Sequence, residues 1–321
     1  MAIAKIYKDY SLAKVDEVER NIKYQAEAIF YNAVLAKSTL EVIGKAHEQK
    51  TYNLETAEKN FDQGMISEYE LLRARVEKLN VEPQLVAAES YLNVSRKQLK
   101  SFIGMPLDAE IRLVAPLDDT AAMELPTLDS LLDHAIANRP ELQQAILEKQ
   151  GRKKAIQIAK SDWLYPSLYL NGTYAWSASS DNFSIRQQET ADNWRVSLML
   201  NVPLFDGGKS IGEVRKASTD YYQAKLAEEQ LFDDIRLEVE AAYDQLVQAR
   251  KALATQNETI AQAEEAMRIA DLSYESGMAT QLEVLAAQTA LTQARTQLAE
   301  TVFNLRLAKA ELKKATGYDI K

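Results

Sequence analysis

Tyr274-Glu275-Ser276-Gly277-Met278-Ala279-Thr280-Gln281-Leu282-Glu283-Val284-Leu285-Ala286-Ala287-Gln288 has an earlier counterpart in Phe61-Asp62-Gln63-Gly64-Met65-Ile66-Ser67-Glu68-Tyr69-Glu70-Leu71-Leu72-Arg73-Ala74-Arg75. The two stretches lie 213 residues apart and agree at Gly64/Gly277, Met65/Met278, Glu70/Glu283, Leu72/Leu285 and Ala74/Ala287. The same offset of 213 carries residues 28–104 onto 241–317 without a gap, from Ala28/Ala241 to Gly104/Gly317. A repeat held in register over that length requires matching helix lengths, so each copy is expected to fill an equivalent place in one assembly.

Outward from these glycines the sequence is helical. Residues 10–62 read as a first helix, a turn follows at Gly64, and a second helix covers about 67–102. From Lys209 to Ser276 there is no Pro and, after Gly212, no Gly. A helix of that length would reach about 100 Å at ~1.5 Å per residue, deeper than any globular core, so it must belong to a coiled coil or bundle. Val284, Leu291, Leu298, Leu305 and Leu312 repeat every seven residues, with Ala287, Ala294, Thr301, Ala308 and Ala315 three places on. Large and small residues alternating on one seam fit closely spaced helices packed knobs into holes. The first copy repeats the pattern with Leu71, Leu85, Leu92 and Leu99, where Lys78 and Pro83 interrupt; Pro83 is expected to kink that helix.

Two segments break the helical pattern. Residues 104–138, with Pro106, Pro116, Pro126 and Asp118-Asp119, read as an irregular stretch with small elements, before Arg139-Pro140-Glu141 opens a helix running to about Trp163. A β-hairpin follows at about 165–204. In it Leu168, Leu170, Gly172, Tyr174 and Trp176 alternate with polar neighbours, then Trp194, Val196, Leu198, Leu200 and Val202 do the same. Trp at the loop end of each apolar face suits a membrane aromatic girdle. A soluble hairpin can also bury an aromatic there, so the pattern alone leaves both readings open.

Composition narrows the function classes. Of 321 residues, 46% are hydrophobic, which excludes disorder, and no apolar run approaches the roughly 20 residues of a membrane helix. The net charge of −9 argues against a nucleic-acid surface. Cysteine is absent, which removes disulfides, thiol nucleophiles and thiolate metal sites. His47 and His134 stand alone, and there is no glycine-rich phosphate loop or nucleophile elbow. No convergent catalytic set, metal site or cofactor is expected.

Tyr274-x-x-Gly277 through Leu282-Glu283-Val284-Leu285-x-Ala287-Gln288, running on to Leu291 and Ala294-Arg295, resembles the signature of the TolC-like outer-membrane efflux proteins. Phe61-x-x-Gly64 through Glu70-Leu71-Leu72-x-Ala74-Arg75 is its weaker twin. Arg139-Pro140-Glu141-Leu142, Pro166-x-Leu168-x-Leu170-x-Gly172-x-Tyr174 and Val202-Pro203-Leu204-Phe205-Asp206-Gly207-Gly208-Lys209 agree in order and spacing. The resemblance covers essentially the whole chain.

It implies a mainly α fold: long antiparallel coiled-coil helices forming a tunnel, with a β-hairpin given to a shared trimeric membrane β-barrel. Residues 1–103 would be the first-repeat tunnel segment, 104–138 an equatorial segment, and 139–321 the second repeat. The implied protein is a homotrimer set in outer-membrane lipid, its helices in the periplasm of a Gram-negative bacterium. It would meet a periplasmic adaptor and inner-membrane pump at a tip formed by Gly64, Met65, Gly277 and Met278. Glu70, Glu283 and Tyr274 correspond to the family's gate, with Tyr274 bonding to the first-repeat acid. Ala279 and Ala286 replace the family's basic and second acidic residues there, leaving Arg73 as the substitute cation. Trp176, Trp194, Leu168, Leu170, Val196, Leu198 and Leu200 would face lipid.

One departure stands out. Counting back 213 residues from the hairpin gives negative numbers, so the first hairpin is expected to be missing from these residues and the chain to be a fragment. Three copies would then supply half the strands of the family's barrel. The competing reading is a soluble coiled-coil scaffold or adaptor-like protein without a pore. The Trp-bounded hairpin discriminates, because a scaffold gains nothing from an apolar outward face.

Overall fold

The computed structural model describes residues 2–114, 125–179, 189–202 and 204–318; Pro116, Asp118, Asp119 and Pro203 lie outside them. The elements are α1 (Ala2–Asp62), α2 (Glu68–Phe102), α3 (Leu128–Asn138), α4 (Pro140–Leu164), β1 (Ser167–Ser179), β2 (Glu189–Asn201), α5 (Lys209–Glu275) and α6 (Gln281–Thr316). α1 starts eight residues earlier than expected, because Ala2-Ile3-Ala4-Lys5 contains nothing that stops a helix. The stretch 104–138 holds a regular helix, α3, capped by Thr127, whose side chain accepts from the Ser130 amide. α2 continues as one helix through Pro83.

The chain forms two compact units, each drawing on both repeats. One comprises residues 15–139 and 232–321, the other 1–14 and 140–231. In the first, α5 buries Ile235, Val239, Ala242, Leu246, Ala249 and Leu253, alternating steps of four and three along one seam. On α6 Ala294, Thr301, Ala308 and Ala315 are buried, as are Val284 and Leu312 at the two ends of the leucine row, while Leu291, Leu298, Leu305 and Ala287 are half-buried. Small residues let helix backbones approach, and the leucines then pack along the flanks. On α1 and α2 the core is Ala33, Ala36, Leu92 and Leu99, joined by Leu113.

Among the described residues the same unit buries the cations Lys50, Lys100 and Arg139, two of which pair with acids. Lys50 on α1 pairs with Glu77 on α2 at 3.0 Å, and Arg139, the C-cap residue of α3, pairs with Glu238 on α5 at 2.6 Å. Their positions 263 and 290 in the second repeat, equivalent to Lys50 and Glu77, are both Ala, so the Lys50–Glu77 pair is not duplicated.

In the second unit α1 and α4 meet where Gln144 donates to the Ala13 carbonyl. α4 and α5 are joined by Lys149 with Glu228 and by Arg152 with Asp220 at 3.9 Å. β1 and β2 pair antiparallel in a two-stranded sheet.

Candidate functional site

The two glycine turns are built alike, atom by atom. α1 ends with the Met65 amide donating to the Asn60 carbonyl and the Gly64 amide to Phe61; α5 ends with Met278 donating to Ser273 and Gly277 to Tyr274. This is the helix-ending motif in which a left-handed residue lets the chain turn back over its last carbonyls. Gly64 and Gly277 take φ of 72° and 75°, a region that side-chain-bearing residues resist. Both turns then open the next helix with a reciprocal cap. Ser67 Oγ accepts from the Glu70 amide while the Glu70 carboxylate accepts from the Ser67 amide, and Thr280 and Glu283 do the same.

These caps engage two of the residues expected at the gate. Glu70 Oε2 accepts from Ser67 N at 2.9 Å, and Glu283 Oε2 from Thr280 N at 2.6 Å. Each carboxylate thus satisfies a helix-start donor that would otherwise lack a partner. Among the described residues no hydrogen bond joins Tyr274 to Glu70, so the expected cross-link is not made within this chain. The signal for the caps was in the sequence as Ser67-x-x-Glu70 and Thr280-x-x-Glu283. Arg73 is half-buried on α2.

The turns lie side by side. Asn53 donates to Gln288 at 3.0 Å across α1 and α6, eleven residues before Gly64 and eleven after Gly277. With α1 running towards its turn and α6 away from its own, both tips project about 16 Å from that bond at ~1.5 Å per residue. Met65 and Met278 are 71% and 80% exposed there. Six residues before Gly277, the Asp271 carboxyl is raised by partial burial and then by the neighbouring Glu275.

The hairpin's register puts its apolar residues on one face: Leu168 opposite Leu200, Leu170 opposite Leu198, Gly172 opposite Val196 and Tyr174 opposite Trp194. All of these side chains are exposed, Trp194 to 77%. The other face pairs Asn171 with Ser197 and Thr173 with Arg195, interrupted by Tyr169 opposite Met199. Trp176 stands opposite Asp192, so the apolar face ends in a charge at the loop end. From Leu168 to Trp176 the strand advances about 27 Å at ~3.4 Å per residue. Tilted by about 40°, that spans roughly 20 Å, near the ~25 Å apolar band of a membrane barrel.

After β2, Asp206 accepts from the Gly208 and Ser210 amides and from the Ser210 hydroxyl, closing the start of α5. The bond from the Ser210 side chain holds its carboxyl below the ordinary aspartate value. Among the described residues no group of three or more His, Cys, Asp or Glu side chains could hold a metal ion. Among the described residues no helix is long and apolar enough to cross a membrane.

Paired helical hairpins with a lone, outward-apolar β-hairpin are the architecture of channel proteins of the bacterial outer membrane. The model of the family described as outer membrane efflux protein matches residues 131–318, and the chain belongs to that family, which places it in the outer membrane. It is 23% identical over 292 residues to the outer membrane protein TolC of Vibrio cholerae serotype O1, covering 90% of this chain and 66% of that protein. It is 24% identical over 294 residues to the cobalt-zinc-cadmium resistance protein CzcC of Cupriavidus metallidurans, with 90% and 66% covered. The first curated relatives are thus spanned over about two thirds of their length or somewhat less. Among solved structures, the outer membrane protein VceC of Vibrio cholerae superposes with a TM-score of 0.77 at 18% identity, over 99% of this chain and 75% of that one. The outer-membrane channel OprN gives 0.78 at 16% identity, over 98% and 70%. The fold is therefore that of these channels.

Proposed function

We propose that this chain is the outer-membrane duct of an efflux or secretion system: a homotrimer that passes cargo passively, without catalysis or cofactor. The observation that carries the proposal is the hairpin. A row of large apolar side chains lies open on one face, opposite a largely polar one, and lipid outside with water inside is the environment that suits both. Leu168, Leu170, Trp176, Trp194, Val196, Leu198 and Leu200 then face lipid. Residues 1–103 and 139–321 act as two repeats of a tunnel wall in the periplasm, with 104–138 as the equatorial segment.

The adjacent tips support docking. Gly64, Met65, Gly277 and Met278 offer bare backbone and two exposed, adaptable thioethers, to be met by a periplasmic adaptor and its inner-membrane pump. Glu70, Glu283 and Tyr274 sit within a few residues of those tips, where three copies would gather six carboxylates around a cation-attracting constriction.

The experiment compares Leu198→Arg with Ser197→Arg in the full-length protein. A charge on the lipid side costs about 2–4 kcal/mol at mid-depth, while the lumen side tolerates it. Membrane trimer and nucleotide-independent bilayer conductance should fall sharply for the first and persist for the second. Equal tolerance would remove the hairpin from the membrane and sink the reading.

A further inference from the structure

The polar face of the hairpin is a lining of short side chains with three exceptions. Over residues 167–177 and 193–201 that face carries Ser, Asn, Thr and Ala, apart from Tyr169, Met199 and Arg195. Those three are the long side chains of the face, so they project furthest from the sheet. All are exposed, Tyr169 to 51% and Met199 to 56%. Arg195 is the one charged residue of the face over those positions, and its neighbours there, Thr173, Asn193 and Ser197, are neutral. Among the described residues its guanidinium makes no hydrogen bond or ion pair. A face that had only to meet water would need neither an aromatic ring nor a thioether.

We propose that this face is a selection site for anions that carry an apolar body: the Arg195 guanidinium attracts the charge, and Tyr169 with Met199 takes the body. The site rests on the duct reading above, which turns this face to the lumen. Tyr169 and Met199 are directly opposite across the two strands, so ring and thioether form one patch, a contact that sulfur and aromatic groups favour. Four residues separate Met199 from Arg195. That even step keeps both on one face, about 14 Å apart at ~3.4 Å per residue. The patch lies nearer the helices and the guanidinium nearer the loop, so outgoing cargo meets the patch first and the charge second.

Three copies bring three guanidiniums into one lumen, and rings of Arg in a pore favour anions. The Debye length is about 10 Å at 0.1 M salt, and three unit charges that far from the axis favour an anion over a cation there by about fivefold. The preference must grow on dilution, because the Debye length reaches about 30 Å at 0.01 M. Its sign is opposite to that of Glu70 and Glu283 beside the tips. Multivalent cations and apolar-bodied anions therefore act at opposite ends of the duct.

Planar-bilayer recordings of the full-length protein separate the two parts, with naphthalenesulfonate as the probe and sulfate as its apolar-free control. Arg195→Gln should move the chloride-to-potassium permeability ratio toward potassium by up to about fivefold at 0.1 M salt, and further at 0.01 M. Ser197→Arg adds a cation to the same face and should move the ratio toward chloride. Naphthalenesulfonate should block the wild-type current more strongly than sulfate does. Tyr169→Ser with Met199→Ser should remove that excess block, with the permeability ratio still on its wild-type side. An Arg195→Gln channel that keeps the wild-type ratio at both salt concentrations overturns the charge site. Equal block by the two anions, or an excess that survives the double serine variant, overturns the apolar part. If the full-length wild-type protein conducts no current, the duct reading falls and this site falls with it.

Discussion

Replacing Gly277 isolates a backbone cost that the structure allows to be estimated. Its φ of 75° lies in the left-handed region, and a Cβ built there meets no atom within 4 Å. The penalty for Gly277→Ala is therefore conformational alone, about 1–2 kcal/mol. Asn tolerates this region, so Gly277→Asn should cost much less. A change of 1–2 kcal/mol alters a local opening equilibrium by a factor of about 5–30. The reporter is the Met278 amide, which donates to the Ser273 carbonyl only while the turn is formed. Hydrogen exchange at Met278 should quicken by that factor in the Ala variant and stay near wild type in the Asn variant. The same substitutions at Gly64 should act on Met65. Gly317 is the contrast: a Cβ there comes within 3.1 Å of the Arg20 guanidinium, so Asn should not rescue it. If Ala and Asn exchange alike at Gly277, the positive φ is not what holds the turn. Because Asn keeps the turn while adding a side chain at its crest, it also separates folding from docking. Adaptor cross-linking should fall in that variant although Met278 protection persists.

The remaining predictions concern the capping acids and the start of α5. Glu283→Gln keeps an acceptor for the Thr280 amide and removes the charge, whereas Glu283→Ala removes both. Thr280 exchange should accelerate only in Ala, while block of bilayer conductance by multivalent cations should weaken in both; unchanged block in both would leave Glu283 as a cap alone. Asp206 should titrate below the ordinary aspartate value of about 3.9, because the Ser210 hydroxyl stabilises its ionised form. Its contribution to the start of α5 is then present above about pH 3.9 and lost as pH falls through the lower folded value, a sign that follows from the lowered pKa. A carboxyl carbon titration by NMR with a midpoint at or above 3.9, or no drop relative to a Ser210→Ala variant, would contradict the cap.

Much of this architecture was legible because it is periodic or punctuated. The offset of 213 located both turns, the glycines marked their crests, and strict alternation set the hairpin's faces, with Leu170 opposite Leu198 and Asn171 opposite Ser197. What escaped were contacts that no local pattern encodes. Arg139 and Glu238 are 99 positions apart, and nothing near either residue names the other. Lys50 reads as a surface lysine until Glu77 is brought beside it by the turn at Gly64. The caps escaped differently. Their Ser/Thr-x-x-Glu signal is present at Ser67–Glu70 and Thr280–Glu283, but the family resemblance points the same two acids to the gate, and the local pattern does not choose between the roles.

The two copies diverge in a way that distinguishes self-contained features from shared ones. Turn and cap are complete within about a dozen residues, so each copy can keep them whatever it packs against, and both do. Seams are different, because a side chain on a seam answers to the helix across from it. α6 meets α1 of its own chain, and at the positions of Thr289, Thr292 and Thr296 it presents hydroxyls that bond back to its own carbonyls. The corresponding positions on α2 are Val76, Leu79 and Pro83, which can make no such bonds, and Val76 and Leu79 stand exposed. Duplication thus kept the turns and caps that are complete in themselves, and divergence fell on the seams, whose side chains answer to another helix.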